Sequence, residues 1–290
     1  MQDQTADRMG TFERYRSYLF GIAYRMLGSV MDAEDMVQET FLRWEKVEPD
    51  RVQSAKHYLS RTIVNLCIDH LRSVKLEREA YPGVWLPEPI ANSQSQVMME
   101  TLMQSESVSM AFLTLLETLS PLERAVYLLR EVFDFEYAEI AAIVNKSEAN
   151  CRQIVHRAHD HISKKRGRFE VTPEEHEAIT RRFIEMCATG DVQGLVSLLA
   201  DEAILYADGG GKVKSAIRPV YGAAKVARFV FGVLRKLPPS AQIEVKTVNG
   251  RLAIVTSVDG KLEQVLTLDI RDNHIQNIFI VRNPDKLADL

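Results

Sequence analysis

The segment from Leu119 to Arg168 constrains the fold of this chain more than any other. It opens with Ser120 at an N-cap position, Pro121 at the first helical position and Glu123 three residues after the cap. This pattern is a capping box with a preset φ angle, and it predicts a helix that begins at Pro121. Apolar residues then recur at helical spacing, namely Leu122, Ala125, Val126, Leu129, Val132 and Phe133.

Two further helices are predicted in the same segment. The first is short, and the run Asn145-Lys146-Ser147 ends it, because Asn tolerates the left-handed conformation of a tight turn. Ser147 can cap the next helix, whose apolar stripe comprises Cys151, Ile154, Val155, Ala158 and Ile162. A short helix, a three-residue turn and a longer helix are typical of a helix-turn-helix.

The charge of this segment indicates what its outer face contacts. From residue 146 to residue 168 there are seven Lys or Arg residues against two acids, in a chain of net charge −4. Basic residues bind phosphates, and Arg and Gln side chains can read base edges. A helical hairpin with a solvated charged face is the alternative, but cap, turn and charge together favour DNA binding. The candidate contacts are Ser147, Asn150, Arg152, Gln153, His156 and Arg157.

The length of 290 residues allows two or three domains, each with its own core. No apolar run reaches membrane-spanning length and no signal peptide is evident, so we expect a cytoplasmic protein without a membrane anchor. The three cysteines, Cys67, Cys151 and Cys187, are far apart and lie in predicted helices. We therefore expect reduced core thiols, with neither a disulfide nor a metal site.

Three helices are predicted before residue 76, at about 11–27, from an N-cap at Asp32, and at about 55–74. Their apolar stripes can share one core, which predicts a small all-helical domain. The second helix exposes acidic and polar residues, namely Glu34, Asp35, Gln38 and Glu39. The third exposes a mixed set, namely Lys56, Arg61, Asn65, Asp69 and Arg72.

The chain after Val171 has a different pattern, which predicts an α+β domain. Thr172 and Pro173 open a helix with a second capping box, and Gly190 ends it. A strand near 203–207 and a helix over 223–237 follow. Four apolar runs are then separated by Asn-Gly, Asp-Gly and Asp-Asn turns. Such turns predict hairpins, and hence a four-stranded antiparallel meander behind helices.

Two N-terminal stretches resemble extracytoplasmic-function (ECF) sigma factors. Asp32 to Leu42 is similar to their DAEDLVQETF signature, and Leu59 to Arg72 resembles the helix that follows it. The helix-turn-helix resembles their promoter-reading second domain, and the three matches occur in the family's order. The resemblance implies sigma domain 2 at 1–76, a linker at 77–104, sigma domain 4 at 105–168 and a third domain at 172–290.

The resemblance also implies roles for the exposed residues. The acidic helix would bind core RNA polymerase through Asp32, Glu34, Asp35, Gln38 and Glu39, a face suited to a basic partner. The partners implied are the β′ clamp and β flap of the polymerase, and promoter DNA. Lys56, Arg61, Asn65, Asp69 and Arg72 would read the −10 element, and the helix from Glu148 the −35 element. Internal hydrogen bonds are the alternative for Asn65 and Asp69.

The last domain resembles a SnoaL-like cone. A domain of this kind that follows the two sigma domains is typical of the SigJ-like branch of the family. Three motifs carry this resemblance: the linker run Trp85 to Pro89, the loop Asp208 to Lys212, and Asn283 to Leu287. The resemblance implies that this domain regulates sigma activity in cis, without a separate anti-sigma protein. It also implies a pocket that could take a small ligand.

We expect the loop and the C-terminal motif to lie close together and to hold the linker. The residues concerned are Trp85, Leu86, Pro87, Asp208, Gly209, Gly210, Gly211, Lys212, Asn283, Pro284, Asp285 and Lys286. Three consecutive glycines let the backbone approach another surface or bind an anion, and a flexible turn is the alternative.

The sequence offers no pair of catalytic groups. His156 and His159 could hold a metal, but a DNA-facing role fits them better. The resulting hypothesis is a sigma factor without catalysis or cofactor, and the alternative is a ligand-responsive DNA-binding regulator.

Overall fold

The computed structural model describes residues 2–48, 52–91, 108–165, 171–288 and 290. The described residues form two compact units. The first unit contains residues up to 79 together with residues 113–165. The second contains residues 80–91, 108–112 and those from 171 onward. Residues 80–91 of the predicted linker therefore lie in the C-terminal unit, and residues 77–79 lie in the first unit. Apart from residues 108–112, the described residues of the two predicted helical domains lie together in the first unit.

The N-terminal helices enclose an apolar core. They are α1 (Gln2–Leu27), α2 (Val30–Lys46), α3 (Ala55–Ser73) and α4 (Lys75–Glu79). The expectation that Asp32 caps α2 is wrong, because the helix begins at Val30 and its N-cap is Ser29. The Ser29 hydroxyl accepts from the backbone N–H of Asp32, which places Asp32 in the first turn.

The second helical segment follows the predicted pattern. Its helices are α5 (Met110–Leu116), α6 (Pro121–Glu131), α7 (Tyr137–Val144) and α8 (Glu148–Lys165). The capping box at Ser120 is present, with reciprocal bonds to Glu123. One helix was expected over 97–119. Residues 97–107 lie outside the described residues, and α5 ends at Leu116, where Thr118 and Leu119 turn back to the carbonyls of Leu115 and Leu116.

The C-terminal unit packs three helices on one side of a sheet. The helices are α9 (Pro173–Thr189), α10 (Val192–Leu198) and α11 (Ala223–Leu234). The strands are β1 (Leu199–Asp208), β2 (Val220–Tyr221), β3 (Ala241–Val248), β4 (Arg251–Val258), β5 (Lys261–Arg271) and β6 (His274–Val281). Helix α11 is shorter than predicted, because Lys236 and Leu237 already bond to carbonyls three residues back.

The sheet has the order β2-β1-β6-β5-β4-β3. Strands β3 to β6 form the predicted antiparallel meander, and residues 249, 259, 272 and 273 in its turns have positive φ angles. The purely antiparallel expectation needs correction, because β1 pairs in parallel with β6. A long connection through α11 and the meander separates the two strands in sequence, which is what parallel neighbours require.

Both faces of this sheet are covered. The helices lie on one face, over a core that includes Phe183, Leu205, Val226 and Ile278. On the other face the linker residue Leu86 packs with Met110, Val255, Phe279 and Val281. Leu86 is fully buried, which explains why an apolar residue stands in a proline-rich linker. Among the helices of the described residues, none is long and apolar enough to cross a membrane.

Candidate nucleic-acid interface

The helix-turn-helix has the local geometry that its sequence predicts. Asn145 ends α7 in the left-handed conformation, with a φ of 53°. The Ser147 hydroxyl accepts from the Asn150 N–H at 3.2 Å and so caps α8. The apolar stripe of α8, from Cys151 to Ile162, is buried. The turn and the buried stripe together fix which face of α8 points outward.

All six candidate DNA contacts in this region are exposed, from Ser147 to Arg157. Arg152 pairs with Glu148 at 2.8 Å and lies over the Tyr137 ring at 4.4 Å. His156 pairs with Asp160 at 3.3 Å. These i,i+4 pairs join the Arg152 and His156 side chains to acidic residues one turn away on α8. Arg166 and Arg168 of the predicted basic run lie outside the described residues.

The acidic face of α2 is mostly open to solvent. Asp35 and Gln38 are exposed, and Glu34 bonds to Arg16 at 2.9 Å. Glu39 accepts from Arg43 one turn later, at 2.8 Å. Exposed pairs of this kind contribute about 0–1 kcal/mol each, so they can be exchanged for a partner's basic residues at little cost.

Asp32 differs from the rest of this face. It is half-buried, and its carboxylate lies 3.6 Å from the His70 ring of α3. The nearby His70 ring lowers the pKa of Asp32, so the carboxylate keeps its charge. Asp32 therefore ties α2 to α3, in addition to standing at the edge of the acidic face.

The five candidate residues of α3 fall into two groups. Asp69 and Arg72 are exposed and pair with each other at 3.3 Å. Asn65 bonds inward instead, because its amide donates to the Arg61 carbonyl at 2.8 Å and to the Ile143 carbonyl of α7 at 3.3 Å. The internal hydrogen bond considered for Asn65 thus exists, although it reaches the other helical domain.

Lys56 and Arg61 also face α7 and the turn that precedes it. The Lys56 ammonium lies 5.2 Å from the Phe135 ring centroid and 5.5 Å from that of Tyr18. Arg61 lines a cleft of about 300 Å³ together with Glu139 and other residues of α3 and α7. The backbone N–H of Glu136, followed by the His57 ring, lowers the pKa of Glu139. Glu139 is therefore an anion beside these cations.

A buried carboxylate organises the linker in the C-terminal unit. Asp208, at the end of β1, is fully buried and accepts four hydrogen bonds. The donors are the Tyr81 hydroxyl at 2.6 Å, the Leu86 N–H at 2.9 Å, the Gly210 N–H at 3.0 Å and the Lys286 ammonium at 2.8 Å. Three segments that are distant in the sequence therefore meet at the Asp208 carboxylate, whose charge the Lys286 ammonium neutralises. We call this cluster, Tyr81, Leu86, Asp208, Asn283 and Lys286, the linker dock.

The remaining contacts of the dock extend this arrangement. The Asn283 amide donates to the Tyr81 hydroxyl at 3.0 Å, and the Lys286 ammonium lies 4.0 Å from the Trp85 ring centroid. Burial, and after it the Asp208 carboxylate, raises the pKa of Tyr81, which keeps the phenol a donor. Pro87 is buried beside Leu86.

The glycines of the loop allow other chain segments to come close. A Cβ on Gly210 would lie 2.5 Å from the Asn283 side chain, and one on Gly211 would lie 2.6 Å from Pro82. Both glycines have positive φ angles, of 61° and 70°. The structure therefore brings the loop and the C-terminal motif together around the linker, while Lys212 and Asp285 form an exposed pair at the rim.

Sequence reasoning missed two anchors of the linker. Tyr81 was not singled out, because a tyrosine before Pro-Gly carries no pattern of its own. Asn249 was read as a turn residue, and it is one, but it is also buried. Its side chain accepts from the Ile90 N–H at 3.0 Å and donates to the Val108 carbonyl at 2.9 Å. Ala91 adds an antiparallel bridge to Val248.

Comparison with known proteins was made for both sequence and structure. The family models for sigma-70 region 2 and sigma-70 region 4 match residues 11–76 and 109–162. The ECF RNA polymerase sigma factor SigJ of Mycobacterium tuberculosis is 32% identical over 289 residues, covering 96% of this chain and 92% of SigJ. A probable ECF RNA polymerase sigma factor, SigI, of the same organism is 31% identical over 279 residues, covering 95% of this chain and 93% of SigI.

The fold comparison agrees with the sequence comparison. The crystal structure of Mycobacterium tuberculosis SigJ matches with a TM-score of 0.80 and 30% identity, covering 97% of this chain and 98% of that one. This match extends through the C-terminal unit, whose helices pack on a mixed sheet as the α+β expectation requires. The chain therefore belongs to the ECF RNA polymerase sigma factors, which act in transcription initiation, and it has the domain composition of the SigJ-like branch.

Proposed function

We propose that this sigma factor binds core RNA polymerase through α2 and reads a two-part promoter with α3 and α8. In this proposal the exposed acids Glu34 and Asp35, with Gln38 and Glu39, contact the basic partner on the polymerase. Arg61, Asn65 and Arg72 contact the −10 element once it is single-stranded. Asn150, Gln153 and Arg157 contact the −35 element from the major groove.

The C-terminal domain adjusts this activity in cis through the linker dock. The observation that supports this part is Asp208, a fully buried carboxylate whose ligands come from the linker and from the C-terminal motif. Because the linker joins the two DNA-reading domains, any change in how it is held alters the positions those domains can reach. No separate anti-sigma protein is needed in this mechanism, and the chain works in the cytoplasm, where its polymerase is.

The test is run-off transcription with purified core polymerase on a library of promoter fragments. The chain alone should give no transcript, core polymerase alone should give background, and the two together should give defined start sites. Yield should fall steeply with salt, because α8 releases counterions when it binds phosphates. Duplex binding without any polymerase-dependent transcript would instead indicate an ordinary helix-turn-helix regulator.

Regulation in cis has its own test. The Asp208→Asn and Trp85→Ala variants should change transcript yield by at least about threefold, since each disturbs the way the linker is held. The Lys261→Ala variant, changed at an exposed position at the start of β5, is the control. Unchanged yield in both the Asp208→Asn and the Trp85→Ala variant would contradict regulation in cis and leave the proposed sigma activity standing. If a small ligand of the C-terminal domain is the regulatory signal, adding that ligand should change the same transcript yield.

A further inference from the structure

We propose that the C-terminal domain carries a further DNA-binding surface, a row of basic side chains on α11 that binds the phosphates of the promoter duplex. The row comprises Lys225, Arg228, Arg235 and Lys236, and we call it the basic stripe. The inference rests on the proposed function, because that function places the chain on a promoter. It adds a contact that does not depend on base sequence and that comes from the domain which holds the linker.

Charge is distributed very unevenly along the C-terminal domain. The run from residue 209 to residue 243 contains seven basic residues and no Asp or Glu. The seven are Lys212, Lys214, Arg218, Lys225, Arg228, Arg235 and Lys236. The run therefore carries +7 in a chain whose total is −4, so the rest of the chain carries −11. A strongly basic run in an acidic chain is typical of a surface that binds a polyanion.

The structure places four of these cations on one face of α11. All four are exposed, and at 3.6 residues per turn their positions fall within a sector of about 100°. Arg235 follows the last residue of α11 and keeps helical backbone angles, so the row continues past the end of the helix. The buried side of α11, which includes Val226 and Val230, packs on β1 and β2. The basic stripe therefore points away from the core of the domain.

The basic stripe is not used for ion pairs within the protein. Among the described residues, none of its four side chains pairs with a carboxylate. Other cations of the same domain do pair with acids, namely Arg181, Lys212, Lys246, Arg271, Arg282 and Lys286. The charge of the stripe is thus available to an anion from outside the chain.

The dipole of α11 does not account for the stripe. Cations stabilise the C-terminal end of a helix, which suits Arg235 and Lys236. Lys225, however, is the third residue of α11 and lies near the positive end of the dipole, where a cation is unfavourable. The helix also contains no acid that could form an i,i+4 pair with Lys225 or Arg228. An external anion explains the row better than the stability of the helix does.

Duplex DNA is the polyanion that this surface fits. The four positions span about 16 Å at 1.5 Å per residue. B-DNA carries about one charge per 1.7 Å of its axis, so this length of duplex presents about ten phosphates. Lys and Arg bind phosphates without reading bases. A helix that binds a lipid surface inserts its apolar face, and the apolar face of α11 is already buried in the domain.

Neutralising the stripe tests the proposal. The stripe variant carries Lys225→Gln, Arg228→Gln, Arg235→Gln and Lys236→Gln. The control variant makes the same change in net charge at four other exposed positions of the domain, with Arg181→Gln, Arg182→Gln, Lys246→Gln and Lys261→Gln. Each full-length chain is bound to core polymerase, and the affinity of the complex for a labelled promoter duplex is measured over a range of salt concentrations.

The stripe variant should bind the duplex at least about tenfold more weakly than the control variant at low salt. The slope of log affinity against log salt should be smaller by about three, because each phosphate contact contributes about 0.9. The loss should be equal on duplexes that differ only outside the −10 and −35 elements, because phosphate contacts carry no sequence information. Equal affinities and slopes for the two variants would overturn the proposal.

A photocrosslink identifies the partner directly, and it does not require the fourfold variant to fold. Arg228→Cys carries an aryl azide in a chain whose half-buried Cys187 is replaced by alanine, whereas Cys67 and Cys151 are buried. Lys261→Cys with the same label is the control. In the complex of polymerase and promoter, the label on residue 228 should attach to DNA at least about tenfold more often than the label on residue 261. Attachment mainly to polymerase would contradict DNA binding and indicate an acidic protein surface as the partner.

Failure of this proposal can be distinguished from failure of the proposed function. If the parent chain gives a polymerase-dependent transcript while the label on residue 228 does not reach DNA, only the basic stripe is refuted. If the parent chain gives no such transcript, while circular dichroism shows that it is folded, the proposed function itself fails.

Discussion

The linker dock has a counterpart in the helical unit, where Arg78 and Arg124 share the Glu117 carboxylate beside the last carbonyls of α1. We call Arg78, Glu117 and Arg124 the α1 joint. The dock and the joint both hold distant segments together through charge, but they differ in burial and completeness. In the dock, Asp208 is 0% exposed and Lys286 is 11% exposed, and the carboxylate has four donors. In the joint, Glu117 and Arg78 are each 20% exposed, and the buried Nε of Arg124 has no partner among the described residues. A buried network with its hydrogen bonds satisfied resists opening, whereas a network that lacks a partner loses less when it opens.

This difference indicates which of the two clusters opens at lower cost. The pair formed by His57 of α3 and Glu139 of α7 is more exposed still, with His57 at 52% and Glu139 at 34%. Burial therefore decreases from the dock to the joint to the His57–Glu139 pair. Each prediction below breaks or sharpens this comparison, from the largest effect to the smallest.

The Asp208→Asn variant should lose about 3–5 kcal/mol of the free energy that holds the linker, because the Lys286 charge loses the carboxylate that neutralises it. Urea unfolding followed through Trp85 fluorescence, in a Trp44→Phe background, measures the loss. Adding Lys286→Met should recover part of it, since the double variant buries no lone charge. A single variant as stable as the parent would mean that the dock is not built on this charge.

The Arg124→Met variant should cost less, about 1–3 kcal/mol, because it also removes the orphaned Nε and leaves Glu117 its bond to Arg78. Urea unfolding followed by circular dichroism measures the loss. An effect larger than that of Asp208→Asn would reverse the ranking of the two networks.

The Tyr81→Phe variant should weaken linker binding by about 1 kcal/mol, because one hydrogen bond to Asp208 is lost. It should also change the pH dependence. The pKa of Tyr81 is raised in the folded state, so its contribution is complete below the unfolded value of 10.0 and is lost as the pH rises above it. Unfolding measured between pH 9 and 11 should show a decline for the parent that is smaller for the variant.

The Lys212→Met variant should change stability by less than about 0.5 kcal/mol, because its pair with Asp285 is exposed on both sides. The same unfolding experiment measures it at low and high salt. A loss comparable with that of Tyr81→Phe would mean that the rim of the dock carries more free energy than its burial indicates.

Local signals in the sequence predicted most helices and strands, whereas contacts between residues distant in the sequence were not predicted. The capping boxes at Ser120 and Thr172, and the left-handed Asn145, are decided within a few residues, and they were predicted correctly. The parallel pairing of β1 with β6 was missed, because it joins strands about seventy residues apart and leaves no local trace. The N-cap of α2 was misplaced by three residues, since both Ser29 and Asp32 suit that position.

The candidate sites show the same division. The outward face of α8 follows from helical spacing alone, so its exposed residues could be named in advance. The engagement of Asn65 with Ile143 could not be foreseen, because its partner is a backbone carbonyl and any residue supplies one. Tyr81 and Asn249 belong to the same class, since burial gives them their importance and burial is decided only once the sheet has formed.

The parallel pairing of β1 and β6 also sets when the dock can exist. Asp208 and Val281 are register partners at the same end of the sheet, so the glycine loop and the segment that holds Asn283 emerge side by side. During synthesis both helical domains leave the ribosome well before residue 286 does. A chain interrupted before that residue would carry its two promoter readers without the Lys286 anchor for the segment between them. The linker is therefore restrained only after residue 286 has been synthesised.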